Sequence, residues 1–162
     1  MKFIAISFAV LLFAFSLSAQ SGSPMFAALD INGNKVDMNA LRGKVVVVNL
    51  WFVNCPNCVE EIKLLNALVD EYQGKDVAFI GLAASSKPAL DKFLVKNPFK
   101  YTIIPNAQMI MFAKFATPNS KGEFNIPFPM HFVIDREGKF VMQQQGVKGV
   151  EAVRAELKKQ IK

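Results

Sequence analysis

The chain reads as an α/β domain: a central mixed β-sheet flanked by helices and preceded by an N-terminal β-hairpin. Three observations predict this. Val45-Val46-Val47-Val48-Asn49-Leu50 is a β-branched run without polar alternation, as expected of a central strand covered on both faces. From Pro56 the apolar residues switch to a helical period. Strands then alternate with helices and finish in a hairpin plus helix, the order of an α/β sandwich around a mixed sheet.

Taken in order, Pro24 to Met38 predicts the hairpin, with Phe26, Leu29 and Ile31 before a turn at Asn32-Gly33-Asn34 and Val36 and Met38 after it. Leu41-Arg42-Gly43-Lys44 leads into the central strand. From Pro56 to about Tyr72, Ile62, Leu65, Val69 and Tyr72 form one apolar stripe, while Glu60, Lys63, Asn66, Asp70 and Glu71 face water. Val77 to Ala83 is a second buried strand. Lys87 to Lys96 reads as a helix ending before Pro98, and Ala107 to Ala116 as another, whose Phe112 and Phe115 are expected in the core. Thr117 to Pro129 is a loop with three prolines. Met130 to Ile134 and Lys139 to Gln144 flank the turn Asp135-Arg136-Glu137-Gly138 as an antiparallel pair. Val147 to Ile161 closes the chain as a helix, with Val150, Val153, Leu157 and Ile161 on one side.

At 162 residues there is room for one domain, and a hydrophobic fraction of 52% is inflated by the N-terminus. A basic start, the apolar stretch Phe3 to Leu17 and the small residues of Ser16-Leu17-Ser18-Ala19 describe a secretory signal peptide cut after Ala19. The expected organisation is therefore residues 1–19 as signal and 20–162 as one domain. The alternative is an uncleaved N-terminal anchor, the only route by which a membrane enters this reading. No cysteine lies near the cut, which excludes a lipoprotein anchor. The net charge of +6 comes from scattered Lys and Arg, with Lys158-Lys159 at a helix C-terminus where cations suit the dipole, so no nucleic-acid partner is expected.

The only two cysteines stand two residues apart, in Trp51-Phe52-Val53-Asn54-Cys55-Pro56-Asn57-Cys58, between the apolar strand and the amphipathic helix. The N-terminus of that helix offers unpaired N–H groups and a positive dipole end, which favour a thiolate. Proline suits the first helical position, because its missing N–H would be unpaired there anyway. If Pro56 takes it, Cys55 is the N-cap and can accept the N–H of Asn57 or Cys58. Cys55 is then the nucleophile, and Cys58, one turn inward, the thiol that frees the partner from a mixed disulfide. The two can also close into a small disulfide ring. A bridge this short removes little unfolded-state entropy, so redox chemistry explains the pair better than an inert staple does.

Four stretches resemble the exported thioredoxin-fold proteins of the TlpA/ResA kind. Leu41-Arg42-Gly43-Lys44-Val45 with Asn49-Leu50-Trp51 resembles the family's lead-in. Cys55-Pro56-Asn57-Cys58 stands where the active-site motif belongs, and Glu61 where these proteins often carry an acid. Pro129-Met130-His131-Phe132-Val133-Ile134-Asp135-Arg136-Glu137-Gly138-Lys139 resembles the block that follows the family's proline. There are departures: Asn54 precedes the first cysteine, proline takes the first rather than the second intervening place, and Met130-His131 replaces the usual threonine pair.

The resemblance implies a thioredoxin fold and thiol–disulfide exchange with protein thiols and disulfides, drawing on an upstream thiol reductant, without a bound cofactor or metal. It implies an exported protein in the periplasm or on the outer face of the cytoplasmic membrane. The direction is expected to be reductive, since no histidine lies between the cysteines. It also implies that Pro129 is a cis-proline facing the cysteines, leaving Phe128 to offer backbone groups to an extended substrate; Pro127 competes for that assignment, and a trans proline in a plain turn is the alternative.

Glu61, three residues past Cys58 on the same helical side, could take the proton of Cys58 if buried, or simply favour the helix dipole if exposed. Trp51 is expected to pack beneath the site. His131, the sole histidine, either packs or faces solvent, or joins Cys55 and Cys58 to hold copper or zinc, the alternative function being a metal-handling chaperone. Phe124, Ile126 and Phe128 either form an apolar docking rim or bury themselves. A thiol peroxidase is disfavoured, because the Pro-x-x-x-Thr/Ser-x-x-Cys setting is absent before Cys55.

Overall fold

The computed structural model describes residues 24–161; the expected signal segment, 1–19, lies outside the described residues. Strands β1 (Ala27–Leu29) and β2 (Lys35–Asp37) form the expected antiparallel hairpin. Its turn is held by the Asp30 carboxylate, which accepts the N–H groups of Asn32 and Asn34, with Gly33 at φ +86°. A short 3-10 turn, Met38–Leu41, follows and leads into β3 (Val45–Trp51), every residue of which is buried. Helix α1 (Pro56–Glu71), β4 (Val77–Ala83), α2 (Lys87–Leu94) and β5 (Thr102–Ile104) come next. They are followed by α3 (Gln108–Phe115), β6 (Thr117–Pro118), β7 (Phe124–Asn125), β8 (Met130–Ile134), β9 (Phe140–Gln145) and α4 (Gly149–Gln160).

The main sheet has the order β5-β4-β3-β8-β9, with β3 parallel to β4 and antiparallel to β8, so the mixed α/β class holds. Successive residues of β3 point to opposite faces. Val46, Val48 and Leu50 share one apolar core with Phe26 and Met38 of the hairpin segment and Met111 and Phe115 of α3. Val45 and Val47 share another with Leu65 and Leu68 of α1 and Val153 and Leu157 of α4.

Several boundaries differ from expectation. Strand β5 carries no local signal of its own: Thr102–Ile104 lies between Pro98 and Pro105 and becomes a strand through its register with Ile80 to Leu82 of β4. The region expected to be a plain loop contains the β6–β7 ribbon, turned by the Asn119 side chain accepting the N–H groups of Lys121 and Glu123. Helix α2 stops two residues before Lys96. In α1, Leu68 is fully buried while Val69 is half-buried, and the covered stripe extends back through Glu61 to Cys58. Phe112, expected in the core beside the buried Phe115, is 58% exposed, because α3 turns only one narrow face to the sheet.

Candidate active site

Strand β3 delivers the site. At its end the carbonyl of Trp51 accepts the Ala84 N–H at 2.9 Å, and the Val53 N–H donates to the Ser85 hydroxyl at 3.0 Å, so the turn after β3 is tied to the end of β4. Cys55 follows in an extended conformation (φ −94°, ψ 106°) as the N-cap of α1, with Pro56 as its first residue. The Cys58 N–H donates to Cys55 Sγ at 3.2 Å, satisfying one of the donors that a helix start leaves unpaired. Cys55 and Cys58 form a disulfide with a Cα–Cα separation of 5.2 Å. Both are buried, whereas Pro56 and Asn57 between them are exposed.

Beneath the pair lies Trp51, fully buried in a cluster with both cysteines, Ala83, Leu90 and Ile103. Its indole stacks on Phe99 with ring centroids 4.5 Å apart. Gly81 makes room for this: a Cβ there would stand 2.6 Å from Ile103 and 3.1 Å from both the indole nitrogen of Trp51 and the ring of Tyr101. Phe128 joins the same cluster and meets Phe52 edge-on at 5.2 Å. The Phe128–Pro129 peptide bond is cis, and the Pro129 carbonyl accepts the Gly146 N–H at 2.9 Å. Among the described residues neither backbone group of Phe128 is hydrogen-bonded.

One turn inward from Cys58, Glu61 has no exposed surface. The Asn49 amide donates to its Oε1 at 2.9 Å, and His131 Nε2 lies 3.1 Å from its Oε2. Asn49 and His131 are cross-strand partners of β3 and β8, so the sheet register itself presents both side chains to the same carboxylate. The Tyr101 hydroxyl donates to Asn49 Oδ1 at 3.4 Å. Burial, and then the charge of Glu61, hold the Tyr101 phenol well above its ordinary pKa, so it remains a donor.

Of the residues expected at the site, the structure thus groups Trp51, Cys55, Pro56, Cys58 and Phe128, and places Glu61 behind them as a buried acid rather than on the helix surface. Phe124, Ile126 and Phe128, for which a docking rim and burial were both open, divide: Phe128 stays with the cysteines, Ile126 enters the core on the other side of the sheet, and Phe124 is 64% exposed. His131 neither faces solvent nor joins the two sulfurs; among the described residues no group of three His, Cys, Asp or Glu side chains could hold a metal ion. Its ring is instead directed at Glu61. Asn49 and Tyr101 were missed as site residues. Asn49 could have been found, since the one polar residue of a wholly apolar central strand must have a partner.

Residues 20–143 match the model of the AhpC/TSA family. The chain is 31% identical over 140 residues to thiol–disulfide oxidoreductase ResA of Bacillus thuringiensis, covering 85% of this chain and 75% of that one. A structure described as a thiol:disulfide interchange protein DsbE from Chlorobium tepidum superposes with a TM-score of 0.71 at 22% identity, covering 85% and 93% of the two chains. Peroxiredoxin Q of Xanthomonas campestris gives 0.68 at 20% identity, covering 83% and 90%. The two solved structures share the fold. With its family model matched over most of its length and its cysteine pair closed at a helix N-terminus, the chain belongs to the AhpC/TSA family and, within it, is a thioredoxin-fold relative of ResA.

Proposed function

We propose that this thiol–disulfide oxidoreductase reduces disulfides of partner proteins outside the cytoplasm. The observation that carries the reading is the Cys55–Cys58 pair at the start of α1, with the Cys58 N–H on Cys55 Sγ and a buried carboxylate one turn behind.

In the reduced protein the Cys55 thiolate attacks one sulfur of a partner disulfide, and the other partner sulfur leaves as a thiolate. Cys58 then loses its proton to Glu61 and attacks Cys55 Sγ. The mixed disulfide breaks, the partner leaves reduced, and the Cys55–Cys58 bond forms. An upstream thiol reductant reopens it. Phe128, with its unpaired backbone groups beside the cysteine cluster, offers an edge on which an extended partner segment can pair, and Pro129 sets the direction of that edge. Trp51 and Pro56 support the site from below and at the helix start.

The absence of histidine between the cysteines and the likeness to ResA support the reductive direction. The apolar stretch Phe3 to Leu17 supports export with the first 19 residues as signal, and residues 20–162 as the mature domain. Among the described residues no helix is long and apolar enough to cross a membrane.

Trapping tests the reading. Cys58→Ser, expressed with its N-terminal segment, should accumulate dithiol-reversible adducts to envelope proteins through Cys55. No adducts, or the same adducts in Cys55→Ser, would overturn it.

A further inference from the structure

The pairing of His131 with Glu61 is the feature of this site that neither the cysteine motif nor the disulfide accounts for. His131 has no exposed surface and its Nε2 is 3.1 Å from Glu61 Oε2, while the amide of Asn49 occupies Oε1. An ionised carboxylate only accepts hydrogen bonds, so a Glu61 that is to receive the Cys58 proton needs donors on both oxygens to be held as an anion away from water. Asn49 supplies one. The Nε2–H tautomer of His131 supplies the other.

The far side of the ring fits a neutral imidazole. His131 Nδ1 is buried and has no hydrogen-bond partner among the described residues. A protonated ring would put an N–H there with nothing to receive it. The ring also packs directly on Gly149, the first residue of α4: a Cβ at that position would stand 2.2 Å from His131 Cδ2 and 3.0 Å from Nε2. Glycine is therefore the notch that lets the imidazole reach Glu61.

The other groups around the pair agree. Cys58 stands one turn before Glu61 along α1, β3 supplies the neutral amide of Asn49, and the approach to β5 the Tyr101 phenol, which stays protonated. Gln144 is the β9 residue in register with His131, and Lys148 and Glu151 at the start of α4 are exposed.

We propose that His131 is a positioning residue for the resolving step: as a fixed, neutral donor to Glu61 Oε2 it keeps that carboxylate ionised behind Cys58 and so sets the pH at which Cys58 can be deprotonated. The inference rests on the reading of Glu61 as the acceptor of the Cys58 proton. In atoms, the Cys58 S–H bond breaks, its proton goes to the Glu61 carboxylate, and its sulfur electron pair makes the Cys58–Cys55 bond as the Cys55–partner S–S bond breaks. His131 gains and loses no proton.

The test uses dithionitrobenzoate and the reduced whole protein. Attack by Cys55 releases one thionitrobenzoate, and attack by Cys58 on the resulting mixed disulfide releases the second. The second phase is followed against pH in wild type, His131→Asn and His131→Gln. The Gln amide reaches as far along the side chain as imidazole Nε2, and the Asn amide is one bond short. With that donor lost, His131→Asn should move the acidic limb of the second phase to higher pH, slowing it about tenfold at a fixed pH on that limb. His131→Gln should restore the wild-type profile, and the first phase should be the same in all three. Asn and Gln variants with one common profile, shifted or not, would overturn the proposal. So would a further shift when His131→Asn is added to Glu61→Gln. A Glu61→Gln protein with the wild-type profile would instead remove the reading on which the inference stands.

Discussion

On one face of β3, Val46, Val48 and Leu50 join an apolar cluster with Phe115, Phe132 and Ile134, and the rings of Phe115, Phe132 and Phe140 close on one another at 5.0 to 5.7 Å. On the other face Val45 and Val47 do the same against α1 and α4, but the next two positions, Asn49 and Trp51, turn to the buried acid and to the cysteine cluster. The difference is that one face is complete as a packing problem, whereas the other brings four polar side chains (Asn49, Glu61, Tyr101, His131) into the interior and satisfies nearly all of their atoms with one another. Buried polar networks are expensive when half-satisfied, so a fully dry face would have been simpler to build. The network is where the protein's chemistry is expected to sit, and substitutions on the two faces should separate into losses of rate and losses of stability.

The largest effect should come from Glu61→Gln. Loss of a positioned proton acceptor commonly slows a step about a hundredfold or more, and the second thionitrobenzoate release should fall by that order at neutral pH while the first is kept. Equal second-phase rates for mutant and wild type would return Glu61 to a packing role. On the opposite face Leu50→Ala should do the reverse. Leu50 is completely buried, so its truncation is expected to destabilise by roughly 2–5 kcal/mol in denaturant unfolding with both release phases unchanged. A slowed second phase there would mean that the two faces are mechanically coupled and the comparison is too simple.

The smallest effect should be at Glu156, an acid of α4 outside the network. The Gln160 amide, and then Lys159, hold its carboxyl below the ordinary value of 4.5. A depressed folded-state pKa contributes stability that is present above about pH 4.5 and fades as the pH falls through the folded value. Glu156→Gln should therefore lower stability by less than about 1 kcal/mol at pH 7, with the gap closing on acidification and the release rates untouched. A gap that widens as the pH falls would contradict this sign.

Much of this contrast could be read in the chain beforehand. The run from Val45 and the stretch Val77 to Ala83 mark their strands because nothing polar interrupts them except Asn49, and Pro56 marks the start of α1 because proline fits its first position. The cysteines and Glu61 follow from local helix spacing. What was not legible depends on partners distant in sequence. Thr102–Ile104 is a strand because β4 offers it an edge, and Asn49, His131 and Tyr101 enter the site through contacts 12, 70 and 52 residues apart along the chain. His131 in particular carries no local signature: its neighbour across the sheet and the missing side chain at Gly149 decide what it does.

The exchange chemistry depends on Cys55 being the thiolate that the start of α1 stabilises, with Cys58 N–H as its donor. The direct measurement is the rate of iodoacetamide alkylation of Cys55 as a function of pH in reduced Cys58→Ser, where only one thiol remains. The N-cap position predicts an inflection well below the free-thiol value of about 8.5. An inflection at or above that value would contradict the assignment of Cys55 as the nucleophile.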